Sequence, residues 1–228
     1  LAQMGEMISM IAHQWRQPLA SISAISGTLT LDIMMDEYKP EFFQDRLESI
    51  NELSQHLSST IDDFRGFFKE QKEQKIIKLD AIVNGSLQII GPSLKTKEIQ
   101  VQVKCESDIF VNTYVNEVKQ VLLNILKNAE DILLDKSISD AHVWIDGHEE
   151  NGCARLSIED NAGGIPEDVL QKIFDPYFST KSAKDGTGLG LYMSKTIIEE
   201  HCQGSLRVKN SNNGAKFTIA LPLNTQEN

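Results

Sequence analysis

The chain has 228 residues, 40% apolar and 24% charged, which is enough to bury a real core in one large domain or two small ones. A formal net charge of −11 argues against a nucleic-acid surface, which needs clustered Lys and Arg, but does not exclude a local nucleotide site. Cys105, Cys153 and Cys202 are too few and too far apart for a disulfide framework or a metal pair, and they suit a reducing compartment. No apolar run approaches the ~20 residues needed to cross a bilayer. No signal peptide is visible, and the first residue is Leu1 rather than Met, so a fragment of a longer protein is expected.

The first region reads as helix. Ile8, Ile11, Trp15, Leu19 (or Pro18), Ile22, Ile25, Leu29 and Ile33 recur at steps of three and four and form one stripe. Residues 36–41, DEYKPE, break it: Pro40 disfavours helix at Lys39 and suits the start of a new one. A second stripe runs Phe43, Leu47, Ile50, Ser54, Leu57, Ile61, Phe64 and Phe68. Two long helices joined by a short turn predict an antiparallel hairpin. Two such helices enclose their stripes poorly, so a dimeric four-helix bundle is expected. His13 lies about 200° from both Ile11 and Trp15 on the helical wheel. Its own face carries Glu6, Ser9, Arg16, Gln17 and Ala20, which predicts an exposed imidazole.

Residues 69–78, KEQKEQKIIK, are polar and charged and read as a hinge. Beyond them the pattern becomes mixed α/β. IQVQV (99–103) alternates as a strand, and residues 115–134 have helical periodicity. AHVWIDG (141–147) and ARLSIED (154–160) read as strands joined by a turn at EENG (149–152). A helix is expected over 189–201, then a closing hairpin of SLRVKN and AKFTIALPL across SNNG (211–214).

Several residues in this second region bear chemistry. Asn124 and Asn128 stand four apart on one helix face. They are either solvated surface amides or neutral oxygen donors of the kind that ligate Mg²⁺ beside phosphate. The strand at 154–160 runs into Asp160-Asn161-Ala162-Gly163-Gly164-Ile165-Pro166. That string is either a simple turn or a place where backbone approaches a flat ligand and a carboxylate accepts from an exocyclic amine. Gly186-Thr187-Gly188-Leu189-Gly190-Leu191 opens a helix, where free N–H groups and the helix dipole favour phosphate. Between the two glycine motifs, a segment with Phe174, Phe178, Lys181 and Lys184 has the composition of a lid.

In this order the motifs resemble those of the sensor histidine kinases of two-component systems, over nearly the whole chain. MIAHQWRQPL resembles the H box, NILKNAEDIL the N box, DNAGGIP the G1 box, IFDPYFSTK the F box and GTGLGLYMSK the G2 box. The resemblance implies a helical hairpin over residues 1–72 that dimerises and carries the phosphoacceptor. It implies an α/β sandwich over 73–228 that binds ATP, of the histidine kinase, gyrase and Hsp90 type. His13 would be phosphorylated by ATP and would pass the group to an aspartate of a response regulator. Asn128 would ligate Mg²⁺, with Asn124 nearby. Asp160 would hold the adenine amine, with Gly164 allowing close approach. Phe178, Lys181, Gly186, Gly188, Leu189 and Gly190 would shape the lid and the triphosphate end. The expected location is the cytoplasm, with any membrane spans upstream of Leu1.

Three positions depart from the family pattern. Gln14 follows the histidine where an acid is usual, and an amide can fix a tautomer but cannot act as a general base. Gln17 stands where Thr or Asn commonly positions water for dephosphorylating the regulator, and Ala162 replaces the first G1 glycine. These leave open a phosphatase-biased enzyme or a degenerate kinase acting as a dimeric scaffold. An ATPase of the gyrase, Hsp90 or mismatch-repair type, or a serine kinase on the same domain, would lack the upstream His13 hairpin.

Overall fold

A computed structural model describes residues 2–36, 39–67, 73–181 and 188–223; the side chains of residues 2–14, 56 and 59–67 lie outside that description. The chain divides into a helical unit, centred on residues 1–65, and an α/β unit formed by residues 66–179 and 188–228.

The helical unit consists of α1 (Ala2–Met34) and α2 (Pro40–Phe67), with Pro40 opening the second helix as expected from its fixed φ. On α1 the shielded stripe is Trp15, Pro18, Ile22, Ile25, Leu29 and Asp32; on α2 it is Phe43, Arg46, Ile50, Leu53 and Leu57. Pro18 rather than Leu19 therefore carries the stripe. Near the turn the expected pattern fails, because Ile33 and Leu47 are 63% and 55% exposed and Ser54 is exposed as well. Asp32 and Arg46 take the inward places and pair with each other across the hairpin. One residue of phase is about 100° on a helix, so this ion pair and the apolar pair cannot share one inward direction. Arg16, Gln17 and Ala20, on the face predicted for His13, are exposed. The side chains of His13, Gln14, Ile61 and Phe64 lie outside the described residues, as do Phe68 and residues 37–38 and 69–72 altogether.

The hinge expected over 69–78 needs correction at its C-terminal end. Lys75–Lys78 is a strand, β1, paired antiparallel with β3 (Phe110–Thr113) in a two-stranded sheet. Lys at both ends disguised it, but Ile77 pairs with buried Val111 and leads into Leu79, which is fully buried. Helix α3 (Leu79–Thr96) follows at once and was not foreseen from the sequence.

The remaining elements form two layers. A mixed five-stranded sheet contains β2 (Gln100–Cys105), β4 (His142–Glu150), β5 (Cys153–Asp160), β6 (Ser205–Asn210) and β7 (Ala215–Pro222), in the order β2-β4-β5-β7-β6. Only the β2–β4 pair is parallel. Between β4 and β5 the turn is shorter than expected: Glu149 and Glu150 still pair, and Asn151-Gly152 make a two-residue turn with φ of 53° and 73°. Strand alternation sends Ala154, Leu156, Ile158 and Asp160 of β5 to one buried side, with Phe217, Ile219 and Leu221 of β7. Helices α3, α4 (Val115–Asp135) and α6 (Gly190–Thr196) supply Ile82, Leu122, Leu126 and Met193 to the same core. A short helix, α5 (Glu167–Leu170), precedes α6, which continues into a π-helical turn over Ile197–His201.

One buried charge fastens α3 to α4. The Glu130 side chain is 1% exposed and accepts from Ser93 at 2.6 Å, Lys97 at 3.0 Å and Lys127 at 2.5 Å. Burial disfavours its charge, but the donors Lys127, Ser93 and Lys97 outweigh that and hold the carboxyl at about 2, against an ordinary 4.5. Because the folded value lies below the unfolded one, the contribution is full above the unfolded value and is lost as pH falls toward the folded one. Its size is about 3 kcal/mol. Replacing Glu130 with Gln is expected to lower the unfolding free energy by about 2–3 kcal/mol at pH 7 in urea titrations. The gap between variant and parent should shrink steadily as the titrations are repeated down to pH 2.5.

Candidate functional site

Asp160 is the last residue of β5, and the strand's alternation turns its side chain toward the helical layer, where the residue is 5% exposed. Its Oδ1 accepts from the backbone N–H of Ala162 at 2.8 Å and of Ala215 at 3.3 Å. Oδ2 takes no hydrogen bond among the described residues. Burial pushes its carboxyl above the ordinary carboxylate value, and the two N–H groups and the Lys136 ammonium oppose that rise. One oxygen is thus clamped and the other is left to accept from an incoming donor.

The loop after Asp160 is tied down on three sides. Asn161 accepts from His142 N–H at 2.9 Å and donates to the Asp140 carbonyl at 2.7 Å, which pins the loop to the start of β4. Gly163 and Gly164 have φ of 80° and 82°, a region closed to most side chains. Ala162 is not among the described positive-φ residues, which explains why alanine is tolerated in place of the first G1 glycine. A Cβ on Gly164 would come within 2.7 Å of Asn210 Oδ1. That oxygen accepts from Ile165 N–H at 2.8 Å, while Asn210 Nδ2 donates to the Ile165 carbonyl at 2.7 Å. Gly164 therefore makes room for this clamp. Gly163 N–H also donates to the Asn213 carbonyl at 3.0 Å, and a Cβ on Gly214 would collide with the Asp160 backbone. Asn210 and Gly214 were not singled out from the sequence. Gly214 falls in the SNNG turn, which reads only as a hairpin connection, and Asn210 ends the strand before it.

Asn124 and Asn128 are both half-buried on helix α4, and Asn124 reaches the start of α6. Asn124 Nδ2 donates to Ser194 Oγ at 2.9 Å, and Ser194 Oγ donates to the Gly190 carbonyl at 2.9 Å. A Cβ on Gly190 would stand 2.5 Å from Asn124 Oδ1, so glycine there lets the two helices meet. Asn124 thus anchors the start of α6. Ser194 completes the anchor, and no sequence signal marked it.

Of the segment expected to form a lid, the described part begins at α5 and includes Phe174, whose ring has the Lys195 ammonium 5.1 Å from its centre. Tyr177, with φ of 65°, donates its N–H to the Gly188 carbonyl at 2.9 Å. Gly188 has φ of 65°, and a Cβ on it would strike the Tyr177 backbone. Residues 177 and 188 are thereby joined backbone to backbone. Phe178 and Lys181 are half-buried, while Leu189 is 3% exposed and serves the core. Gly186 and Lys184 lie outside the described residues.

No group of three or more His, Cys, Asp or Glu able to hold a metal occurs among the described residues. A Mg²⁺ ion held by the Asn128 amide oxygen and completed by phosphate oxygens and water fits this donor set, because that ion keeps few protein ligands. A self-sufficient metal site does not.

Residues 113–225 match the family of histidine kinase-, DNA gyrase B- and HSP90-like ATPases, and residues 3–73 match the His Kinase A (phospho-acceptor) domain. The chain is 34% identical to the signal transduction histidine-protein kinase AtoS of Escherichia coli, over 100% of this chain and 36% of that protein. It is 28% identical to the two-component sensor PprA of Pseudomonas aeruginosa, over 98% of this chain and 25% of that protein. The chain therefore spans about a quarter to about a third of these relatives' length. The catalytic domain of histidine kinase ThkA superposes with a TM-score of 0.59 at 26% identity, covering 66% of this chain and 95% of that one. ThkA in complex with the response regulator protein TrrA shares the fold across 100% of this chain and 64% of that one, with a TM-score of 0.66 at 23% identity. The two family models, matched in this order over residues 3–73 and 113–225, together with the likeness to AtoS along the whole chain, show that the chain belongs to the sensor histidine kinases of two-component systems.

Proposed function

We propose that this chain is the core of a sensor kinase that phosphorylates His13 from ATP and hands the group to an aspartate of a response regulator. The observation that carries the ATP reading is Asp160, a buried carboxylate with Oδ1 held by two backbone N–H groups and Oδ2 left to accept from the adenine amine. Asn128 would hold Mg²⁺, whose charge offsets that of the phosphates. Lys181, Gly186 and Gly188 belong to the triphosphate end, and Asn124 positions the helix that meets it. A nitrogen of the His13 imidazole forms the new N–P bond as the bond to ADP breaks, and the imidazole proton leaves to solvent. With no acid beside His13, Gln14 orients the ring through its amide, and Gln17 positions water for hydrolysis of the phosphorylated regulator.

The expected partner copy is a second hairpin. Leu19, Leu31, Ile33, Met34, Met35, Phe42 and Leu47 are large apolar side chains left exposed on α1, α2 and the turn, and a four-helix bundle would cover such a surface. That ThkA has been solved with the regulator TrrA supports a receiver-type partner here. Among the described residues no helix is long and apolar enough to cross a membrane.

Incubation with labelled ATP is expected to yield phosphate on the protein that is labile to acid and stable to base. His13→Gln should abolish it, and Asn128→Ala should lower it at least about tenfold. Gln14→Ala should slow labelling without abolishing it, and Gln17→Ala should spare labelling while reducing release of phosphate from a loaded regulator. Unlabelled protein under these conditions, or label surviving in His13→Gln, would overturn the reading.

Nucleotide binding should also weaken on acidification. Burial raises the Asp160 carboxyl, so it takes up a proton at a higher pH than an ordinary carboxylate and stops accepting. Calorimetric titration with ADP from pH 7.5 downward is expected to show affinity falling before the ordinary carboxylate range is reached. Asp160→Asn should bind weakly and lack that acid limb.

A further inference from the structure

Helix α4 is capped by Lys136, whose backbone N–H donates to the Ile132 carbonyl while the N–H of Ser137 takes the Leu134 carbonyl, an ordinary C-cap. A cation at this place would be favourable for the helix dipole alone, with its side chain in water. Lys136 does something more specific. Although the residue is exposed, its Nζ crosses to the loop after β5 and donates to the Ala162 carbonyl at 2.6 Å. It makes no ion pair among the described residues, so no carboxylate claims the ammonium.

Ala162 is thereby held at both ends of one residue. Its N–H donates to Asp160 Oδ1 at 2.8 Å, and its carbonyl accepts from Lys136. The ammonium also stands 3.9 Å from the place a Cβ would occupy on Gly163, at the left-handed start of the glycine pair. We infer that Lys136 is a positioning residue for base recognition: it fixes the Ala162–Gly163 peptide, one Cα away from the N–H that orients the Asp160 carboxylate, and keeps a positive charge beside it. The inference rests on the reading of Asp160 as acceptor for the exocyclic amine.

Two physical effects carry it. A charge-assisted hydrogen bond of this length is stronger than a neutral one, so it fixes a loop whose two following glycines have little preference of their own. The charge also favours the ionised carboxylate against burial, in the same direction as the two backbone N–H donors. An ionised Oδ2 accepts from an amine, whereas a protonated one presents its own donor.

Inosine diphosphate, which carries a carbonyl oxygen where adenine has the amine, separates base reading from general support of the loop. In calorimetric titrations of the whole chain, the parent is expected to prefer ADP over IDP by at least about tenfold. Lys136→Met should weaken ADP about tenfold and change IDP less than about twofold, so that the preference collapses. Lys136→Arg should restore the ADP preference, because a guanidinium also donates and stays charged. The acid limb of ADP binding should move to higher pH in Lys136→Met, since removal of the cation lets Asp160 protonate sooner. An unchanged ADP:IDP ratio in Lys136→Met, whether or not both affinities drop, overturns the inference and leaves Lys136 a helix cap. If the parent itself fails to prefer ADP and Asp160→Asn binds as well as the parent, the reading of Asp160 fails first and takes this inference with it.

Discussion

The α/β unit is organised around a carboxylate placed where burial is unfavourable to it. Asp160 stands at the end of a strand in the middle of the sheet, and its alternation with Leu156 and Ile158 leaves it no solvent-facing choice. A buried carboxylate has to be matched by donors. Here they are the N–H of Ala162, from the loop that follows, and of Ala215, from the first residue of β7. Both depend on backbone that bends sharply and approaches closely, hence glycine at 163, 164 and 214. The satisfied oxygen fixes the free one. What looks like a glycine-rich turn is the cost of holding one acceptor still.

Helix α4 serves three neighbours at once because a helix has room for three faces. Its apolar face, with Val118, Leu122, Ile125 and Leu126, builds the core. Asn124 ties it to α6 through Ser194, and Glu130 ties it to α3 through Ser93 and Lys97. Its C-cap residue, Lys136, reaches the Asp160 loop. A displacement of α4 would therefore be felt at the start of α6 and at the Ala162 peptide together.

Much of this was legible from the residues. The strands at 142–150 and 215–222 alternate as a half-covered sheet must, and Gly163, Gly164 and Gly188 stand at positions where φ is positive. Polar partners at long range were not legible. Asn210 clamps a peptide 45 residues away, and nothing local distinguishes it from another turn-flanking amide. Strand β1 was hidden by lysines at its ends, because a short edge strand needs only one inward residue, Ile77, to hold its place. Helix α3 escaped notice through Gly85, Gly91 and Pro92, which the buried stripe of Ile82, Ile90 and Leu94 overrides. On the hairpin the apolar period was read correctly as helical but was one residue out of phase near the turn, where Asp32 and Arg46 displaced Ile33 and Leu47.

The two units also differ in how far each can stand alone. The α/β unit has a continuous core from α3 through β7. In the helical unit, among the described side chains, Leu29 is the only apolar one that is fully shielded, and the rest of the stripe is half-covered. Burial of apolar area is what offsets the ordering of a chain, at about 25 cal/mol per Å², and a single hairpin with this pattern recovers little of it. Association with a second hairpin, as proposed above, would supply the missing cover, and the geometry around His13 would then be a property of the assembled bundle. In that setting the missing acid matters less. A histidine held rigidly needs a neighbour to fix its tautomer more than one to take its proton, and an amide such as Gln14 can do the first.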